Sequence, residues 1–242
     1  MEFDVNVIVT YWPIIARGLA VTVGIFLGSL VLSFVLGLLI AIARLSRLSL
    51  LSRAAYVYIE FVRNLPFMIL LFLFFFGLPA FGLHLPSFVI GVIALTVYGG
   101  AYYAEIFRAA IQSVPKGQTD SARATGMTHG QALRHIILPQ MMGFFIPPAT
   151  NQAVMLIKES AILSTITVVD LTMAAQIVQG YTYSPVEVFF MISVLYWILI
   201  AGVARVGLWL ERVTRPGASG RQLKESVPST AARNRRPLIG NR

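Results

Sequence analysis

No charged residue stands between Gly18 and Ala43, and this single run limits the fold more than anything else in the chain. A helix crosses about 30 Å of hydrocarbon with roughly 20 apolar residues, so the run is long enough to span a bilayer. Four more apolar stretches of comparable length follow, at residues 54–78, 87–107, 139–157 and 186–210. Composition points the same way. Hydrophobic residues make up 57% of the chain and charged residues 12%, whereas soluble domains carry roughly 25% charged residues. So few charges cannot build a water-facing surface, and lipid must solvate much of the chain. The predicted fold is an all-α integral membrane protein with about five transmembrane helices.

Basic residues in short loops mark the cytoplasmic side. Arg44, Arg47 and Arg53 follow the first run, and Lys116, Arg123 and Arg134 follow the third. Arg212, Arg215, Arg221 and Lys224 follow the last, while the alternate loops carry no Lys or Arg. Five spans with the N-terminus outside and the C-terminus cytoplasmic satisfy this alternation; six break it. Residues 161–178 are therefore expected to be a re-entrant or pocket-lining helix, which membrane depth tolerates only where protein or a water-filled cavity covers it. Residues 1–17 read as an external N-terminal segment, with Tyr11 and Trp12 as interfacial anchors. The start Met-Glu-Phe-Asp is acidic, unlike the basic head of a signal peptide. Residues 216–242 are rich in Arg, Ser, Gly and Pro and are expected to form a disordered basic cytoplasmic tail. The tail serves either attachment to anionic membrane lipid or topology alone. The net charge of +9 is thus a matter of topology, and no nucleic-acid partner is expected. The absence of cysteine excludes disulfides, thiolate metal sites and thiol nucleophiles.

The most informative segment is polar, residues 112–139. Gln118 to Thr125 contains good helix formers, and Gly126 falls where a left-handed residue closes a helix. Thr128 and Gln131 have the spacing of a capping box opening a second helix. That helix is predicted to run to Leu138, with Pro139 ending it or starting the next span. A plain connector needs only a handful of residues, so a folded element here reads as a docking surface.

The spacing of Asp120, Ser121 and Ala122, then Gly126, then Ile136, Leu138 and Pro139 resembles the E-A-A, three residues, G, nine residues, I-x-L-P motif of ABC importer permeases. Asp stands for Glu and Ser for the first Ala. Phe61-Val-Arg-Asn-Leu-Pro66 resembles the F-R-G-T-P segment of the polar amino-acid branch (histidine, glutamine, arginine and opine type). Residues 99–108, 112–118, 147–152 and 156–160 resemble the same branch. The likeness covers residues 18–211, which it implies form a type-1 transmembrane permease domain in a bacterial cytoplasmic (inner) membrane. It further implies that the loop carrying Asp120, Ala122, Gly126, Met127, Thr128, Ile136, Leu138 and Pro139 is a coupling helix seated on a dimeric ATPase. A second permease subunit, identical or paralogous, and an extracytoplasmic solute-binding protein are implied as well. The chain has no G-x-x-x-x-G-K-[ST] loop, so no cofactor is expected in it and ATP–Mg belongs to the partner.

Charges at membrane depth are costly and mark function by default. Glu60, Arg63, Glu105, Arg108 and Arg205 fall near the cytoplasmic interface, where anchoring and helix pairing account for them. Lys158 and Glu159 follow a long apolar run and are expected deeper. They form either a buried structural pair or a complement to a zwitterionic solute, with Ser160, Asn64 and Gln152 adding neutral hydrogen bonds. No catalytic residue and no metal site is expected: His84, His129 and His135 do not cluster in sequence, and the chain is not read as an enzyme. The competing reading is a secondary carrier or channel working without an ATPase. Such carriers show internal repeats, and none is evident.

Overall fold

The computed structural model of the chain describes residues 5–214, which are helical apart from short connections. The described helices are α1 (Val5–Arg44), α2 (Ser49–Arg63), α3 (Phe67–Ala80), α4 (Ser87–Gln112), α5 (Lys116–Ala124), α6 (His129–Ala132), α7 (Leu138–Ser160), α8 (Leu171–Thr182) and α9 (Pro185–Thr214). Among the described residues three helices, α1, α4 and α9, are each long and apolar enough to cross a membrane, and the number is up to five if each of two bent pairs counts as one span. The expected disorder of 216–242 lies outside the described residues.

The first run is longer than its apolar part. With 40 residues, α1 extends about 60 Å, twice the hydrocarbon thickness. Residues 5–17, read as a separate segment, are thus continuous with the first helix. Likewise α9 continues past residue 210 to Thr214.

The second run departs most from expectation. It was read as one span over 54–78, but the chain turns by 106° between α2 and α3. Pro66 supplies the reason. It has no N–H to extend the helix and it pushes Leu65 out of helical geometry. The backbone therefore stops at Asn64 and restarts with Pro66 as the extended residue before α3. Helix α2 also begins earlier, at Ser49, where Ser52 Oγ donates to the Arg44 carbonyl at 2.8 Å and accepts from the Arg44 guanidinium at 2.9 Å.

Helix α4 is the axis of the bundle and carries the longest buried face, from Ile90 to Ala110. Small residues let α1 lie against it. A Cβ on Gly37 would come within 2.5 Å of Tyr103 Cβ, and one on Gly99 within 2.5 Å of Ser33 Oγ. Close backbone approach of this kind is how helices associate where no hydrophobic drive separates protein from lipid. Ser33 Oγ then donates to the Leu95 carbonyl at 3.3 Å. A second apolar cluster joins Ile15 of α1, Leu171, Ala174, Ala175 and Val178 of α8, and Val188, Met191 and Ile192 of α9.

Residues 161–178 are covered only in part: Asp170 and the apolar face of the segment are buried, while Thr165, Thr167, Val169 and Gln176 are exposed. A 3₁₀ turn over Ala161–Ile166 closes on Thr167 at φ 66, and the chain bends by 50° into α8. Asp170 is fully buried and caps α8, its Oδ1 accepting from the Met173 N–H at 2.8 Å. Thr22 Oγ1 accepts from Leu171 N–H at 2.9 Å, tying this bend to α1. The geometry is that of a span broken at 167–170 or of a re-entrant pair.

Candidate functional site

The polar segment after α4 folds into a corner whose two halves are locked by backbone chemistry. Helix α5 ends in a Schellman arrangement: Gly126 N–H donates to Arg123 O at 3.0 Å, and Met127 N–H to Ala122 O at 3.2 Å. Gly126 takes φ +86, as its position predicted. Thr128 then opens α6 through a complete capping box. Gln131 N–H donates to Thr128 Oγ1 at 3.3 Å, and Thr128 N–H donates to Gln131 Oε1 at 2.8 Å. Between them, these bonds satisfy backbone groups that an exposed helix end would otherwise leave to water.

The second half of the corner differs from expectation. The second helix does not end at Leu138. A π-helical turn, Leu133–Ile137, carries α6 straight into α7. Pro139 is again the reason, because it sits in the first turn of α7 and gives no N–H back to the preceding turn. The wider i→i+5 turn absorbs that gap, with Leu138 N–H donating to Leu133 O. The α6 half of the corner is therefore helically continuous with α7.

Of the predicted docking residues, Asp120, Gly126, Thr128, Leu138 and Pro139 are exposed, Met127 and Ile136 are half-buried, and Ala122 is buried. Thr125, Gly126, Met127, Gln131 and His135 border a surface cleft of about 390 Å³.

The predicted pathway residues come together only in part. Gln152, Lys158, Glu159 and Ser160 share α7. Gln152 is 5% exposed and its Nε2 has no hydrogen-bond partner. Ser160 is buried and its hydroxyl donates to the Ile157 carbonyl at 2.8 Å. Lys158 is exposed and Glu159 half-buried, and the two form no ion pair with each other. Neighbours in sequence on a helix point about 100° apart, so the reading of a buried structural pair does not hold. Asn64 does not join them. It is exposed, on α2, and its Nδ2 donates to Glu60 O at 2.7 Å and Glu60 Oε2 at 3.3 Å.

Helix pairing was expected of Glu105 and Arg108, and the ion pair forms within α4 itself, at 2.5 Å between Arg108 Nη2 and Glu105 Oε1. Arg108 also donates to Gln112 Oε1. Arg63, for which anchoring and helix pairing were expected, pairs α2 with α4 by stacking over the Tyr102 ring at 5.2 Å. An aromatic four residues past Tyr98 on α4 was the signal available in sequence, but the 106° turn that brings Arg63 there was not legible.

Apolar helices of spanning length, one of them continuous with a folded, exposed corner, define an integral membrane protein with a structured element outside the apolar spans. The chain belongs to the family of binding-protein-dependent transport system inner membrane components, whose profile matches residues 33–216. A probable glutamine ABC transporter permease of Bacillus subtilis (strain 168) is 42% identical over 167 residues, covering 69% of this chain and 77% of that one. An L-cystine transport system permease of the same organism is 35% identical over 204 residues, covering 84% and 87%. A crystal structure of an amino acid ABC transporter with histidines superposes with a TM-score of 0.82 at 36% identity, covering 88% of this chain and 99% of that one. The chain is thus the membrane-spanning permease subunit of an ATP-binding-cassette importer and is not itself an enzyme. ATP hydrolysis belongs to a separate subunit, and the carrier or channel alternative is set aside.

Proposed function

We propose that this permease translocates polar amino acids, or opine-like derivatives of them, across a bacterial cytoplasmic membrane. In this reading the corner formed by α5 and α6 faces the cytoplasm and seats in a groove of a dimeric ATPase that binds ATP–Mg. The observation that carries it is the corner itself: an exposed helix–turn–helix locked by a Schellman closure at Gly126 and a capping box at Thr128. A surface that only joined two spans would not need such rigidity. Because α6 runs through the π turn into α7, a push on the corner moves α7 as a body. Lys158 and Glu159, near the far end of α7, then move with it.

The substrate class is supported by the polar residues of α7. The Gln152 Nε2, without a partner among the described residues, the exposed ammonium of Lys158 and the half-buried carboxylate of Glu159 offer complementary groups to an α-carboxylate and an α-ammonium. Relatives named for glutamine and L-cystine transport support the same class. A second permease chain, identical or paralogous, completes the pathway, and a solute-binding protein delivers the solute from outside. Residues 18–211 constitute the permease domain.

The test is reconstitution. The chain is co-expressed with its ATPase and partner permease, placed in vesicles with the binding protein, and assayed for ATP-dependent uptake of labelled glutamine, arginine, histidine and cystine. Uptake of at least one, lost in Lys158→Ala without loss of assembled complex, supports the reading. Uptake of sugars or metal ions with none of these amino acids refutes it.

A further inference from the structure

A second polar locus lies away from both the corner and the α7 group. A cleft of about 350 Å³ opens between the last turn of α2, the C-terminal half of α4 and the first half of α7. Its lining includes Arg63, Tyr102, Glu105, Ile106, Ala109 and Phe144. Apolar side chains dominate the lining, and its charges are unequally satisfied. Glu105 is engaged by Arg108, which donates to it through Nε at 2.8 Å and Nη2 at 2.5 Å. Among the described residues Arg63 forms no ion pair, although it lies within electrostatic range of Glu105, and its Nε is buried without a hydrogen-bond partner. A planar guanidinium held over an aromatic ring with a donor left unfilled is matched by a carboxylate, which takes two of its N–H groups at once.

The cleft is also connected. Tyr102 OH reaches the Arg63 carbonyl and Tyr98 OH, each at 3.5 Å. Glu159 in turn lies within electrostatic range of Tyr98. A line of polar groups therefore runs from Glu159 through Tyr98 and Tyr102 to Arg63. Along α7, the cleft residue Phe144 is six residues from Leu138, about 9 Å, whereas Lys158 is twenty residues away, about 30 Å.

We infer that the Arg63 cleft is a second station for the transported solute, nearer the docking corner. It holds the α-carboxylate of an amino acid on Arg63 and the solute side chain against Ile106, Ala109 and Phe144. The ammonium group is left toward the open mouth of the cleft, because both Glu105 oxygens on the same wall are taken by Arg108. The inference rests on the amino-acid reading above. A solute passing Lys158 and Glu159 reaches Arg63 next, and an amino acid accumulated on the corner side refills the station and slows further import.

The experiment uses the assembled complex in phosphatidylcholine nanodiscs, free of anionic headgroups and of the binding protein. Labelled L-glutamine and L-arginine are titrated onto it, and uptake is measured in parallel with the same complex reconstituted in vesicles with the binding protein. The expected result is two sites per copy of this chain. Arg63→Gln weakens one of them by about tenfold or more, and Arg63→Lys weakens it less. Ala109→Phe, which leaves Arg63 in place and fills the groove, removes the same site. This second variant keeps the test valid if Arg63→Gln impairs assembly. Lys158→Ala spares the site. One site per chain in the wild type, or two sites unaffected by Arg63→Gln and Ala109→Phe, overturns the inference while leaving amino-acid transport standing. Absence of any amino-acid uptake by the wild type overturns the amino-acid reading itself.

Discussion

Replacing Gly126 alters one backbone preference and adds no contact, which makes it a clean probe of the corner. Its φ is +86, and a Cβ built there meets nothing within 4 Å. The cost of a side chain is therefore conformational, not steric. A left-handed residue other than glycine costs roughly 1–2 kcal/mol, less for asparagine and more for a β-branched residue. If the ATPase recognises the closed corner, an alanine cost of about 1 kcal/mol weakens docking by about fivefold, and a valine cost of about 2 kcal/mol by about thirtyfold. Affinity for the ATPase, measured by titrating it onto the permease in nanodiscs, should fall in the order Gly, Asn, Ala, Val. Substrate-stimulated ATP hydrolysis should follow that order. The membrane bundle should keep its thermal stability, because Gly126 is exposed and belongs to no packed helix. An order set by size, with Asn worse than Ala, would refute the reasoning. It would mean that Gly126 matters as a contact with the partner and not as a closure of α5.

Other outcomes follow from the packing. Gly37→Ala forces a Cβ against Tyr103 and the α4 backbone and should destabilise the bundle by about 1–3 kcal/mol. Gly24→Ala, with nothing within 4 Å, should be neutral, and thermal unfolding in nanodiscs compares the two. Asp170→Ala removes the cap of α8 and should cost about 1 kcal/mol. Asp170→Asn keeps an oxygen for Met173 N–H and removes a buried carboxylate whose Oδ2 has no partner, so its melting temperature should match or exceed the parent's. Thr128→Ala breaks the capping box and should cost about 1 kcal/mol at the corner, read as faster hydrogen exchange at Gln131 with no change in α4.

What the sequence revealed divides by the range of the forces involved. Local rules worked where the backbone satisfies itself: Gly126 and the Thr128–Gln131 pair were legible because a positive φ and a reciprocal cap each involve a few consecutive residues. Span existence was legible because lipid imposes one demand on every residue of a run. The helix ends were not, since Thr214 and Val5 lie beyond the apolar stretch and helix continues there without hydrophobic cause. Pro66 was visible, yet hydrophobicity alone carried the run across it, and only the structure shows the chain turning there. Pro139 was read as ending the second helix or starting the next span, and it does sit in the first turn of α7, but the π turn that joins the two helices has no signature in Leu133–Ile137. Lys158 and Glu159 were expected just past the apolar run 139–157, whereas α7 continues through them to Ser160, and adjacency in sequence suggested a pair that helical geometry keeps apart. The Arg63 cleft needed three elements to converge and had no local trace.

The absence of cysteine permits the most direct measurement of the central claim, that the Gly126 corner is where the bundle receives force from an ATPase. A single cysteine at exposed Thr128 should cross-link to the ATPase subunit in the assembled complex and resist a membrane-impermeant maleimide added to intact cells. The cross-link should also arrest substrate-stimulated ATP hydrolysis. Labelling of that cysteine from outside, or a cross-linked complex that still transports at the parental rate, would contradict the account.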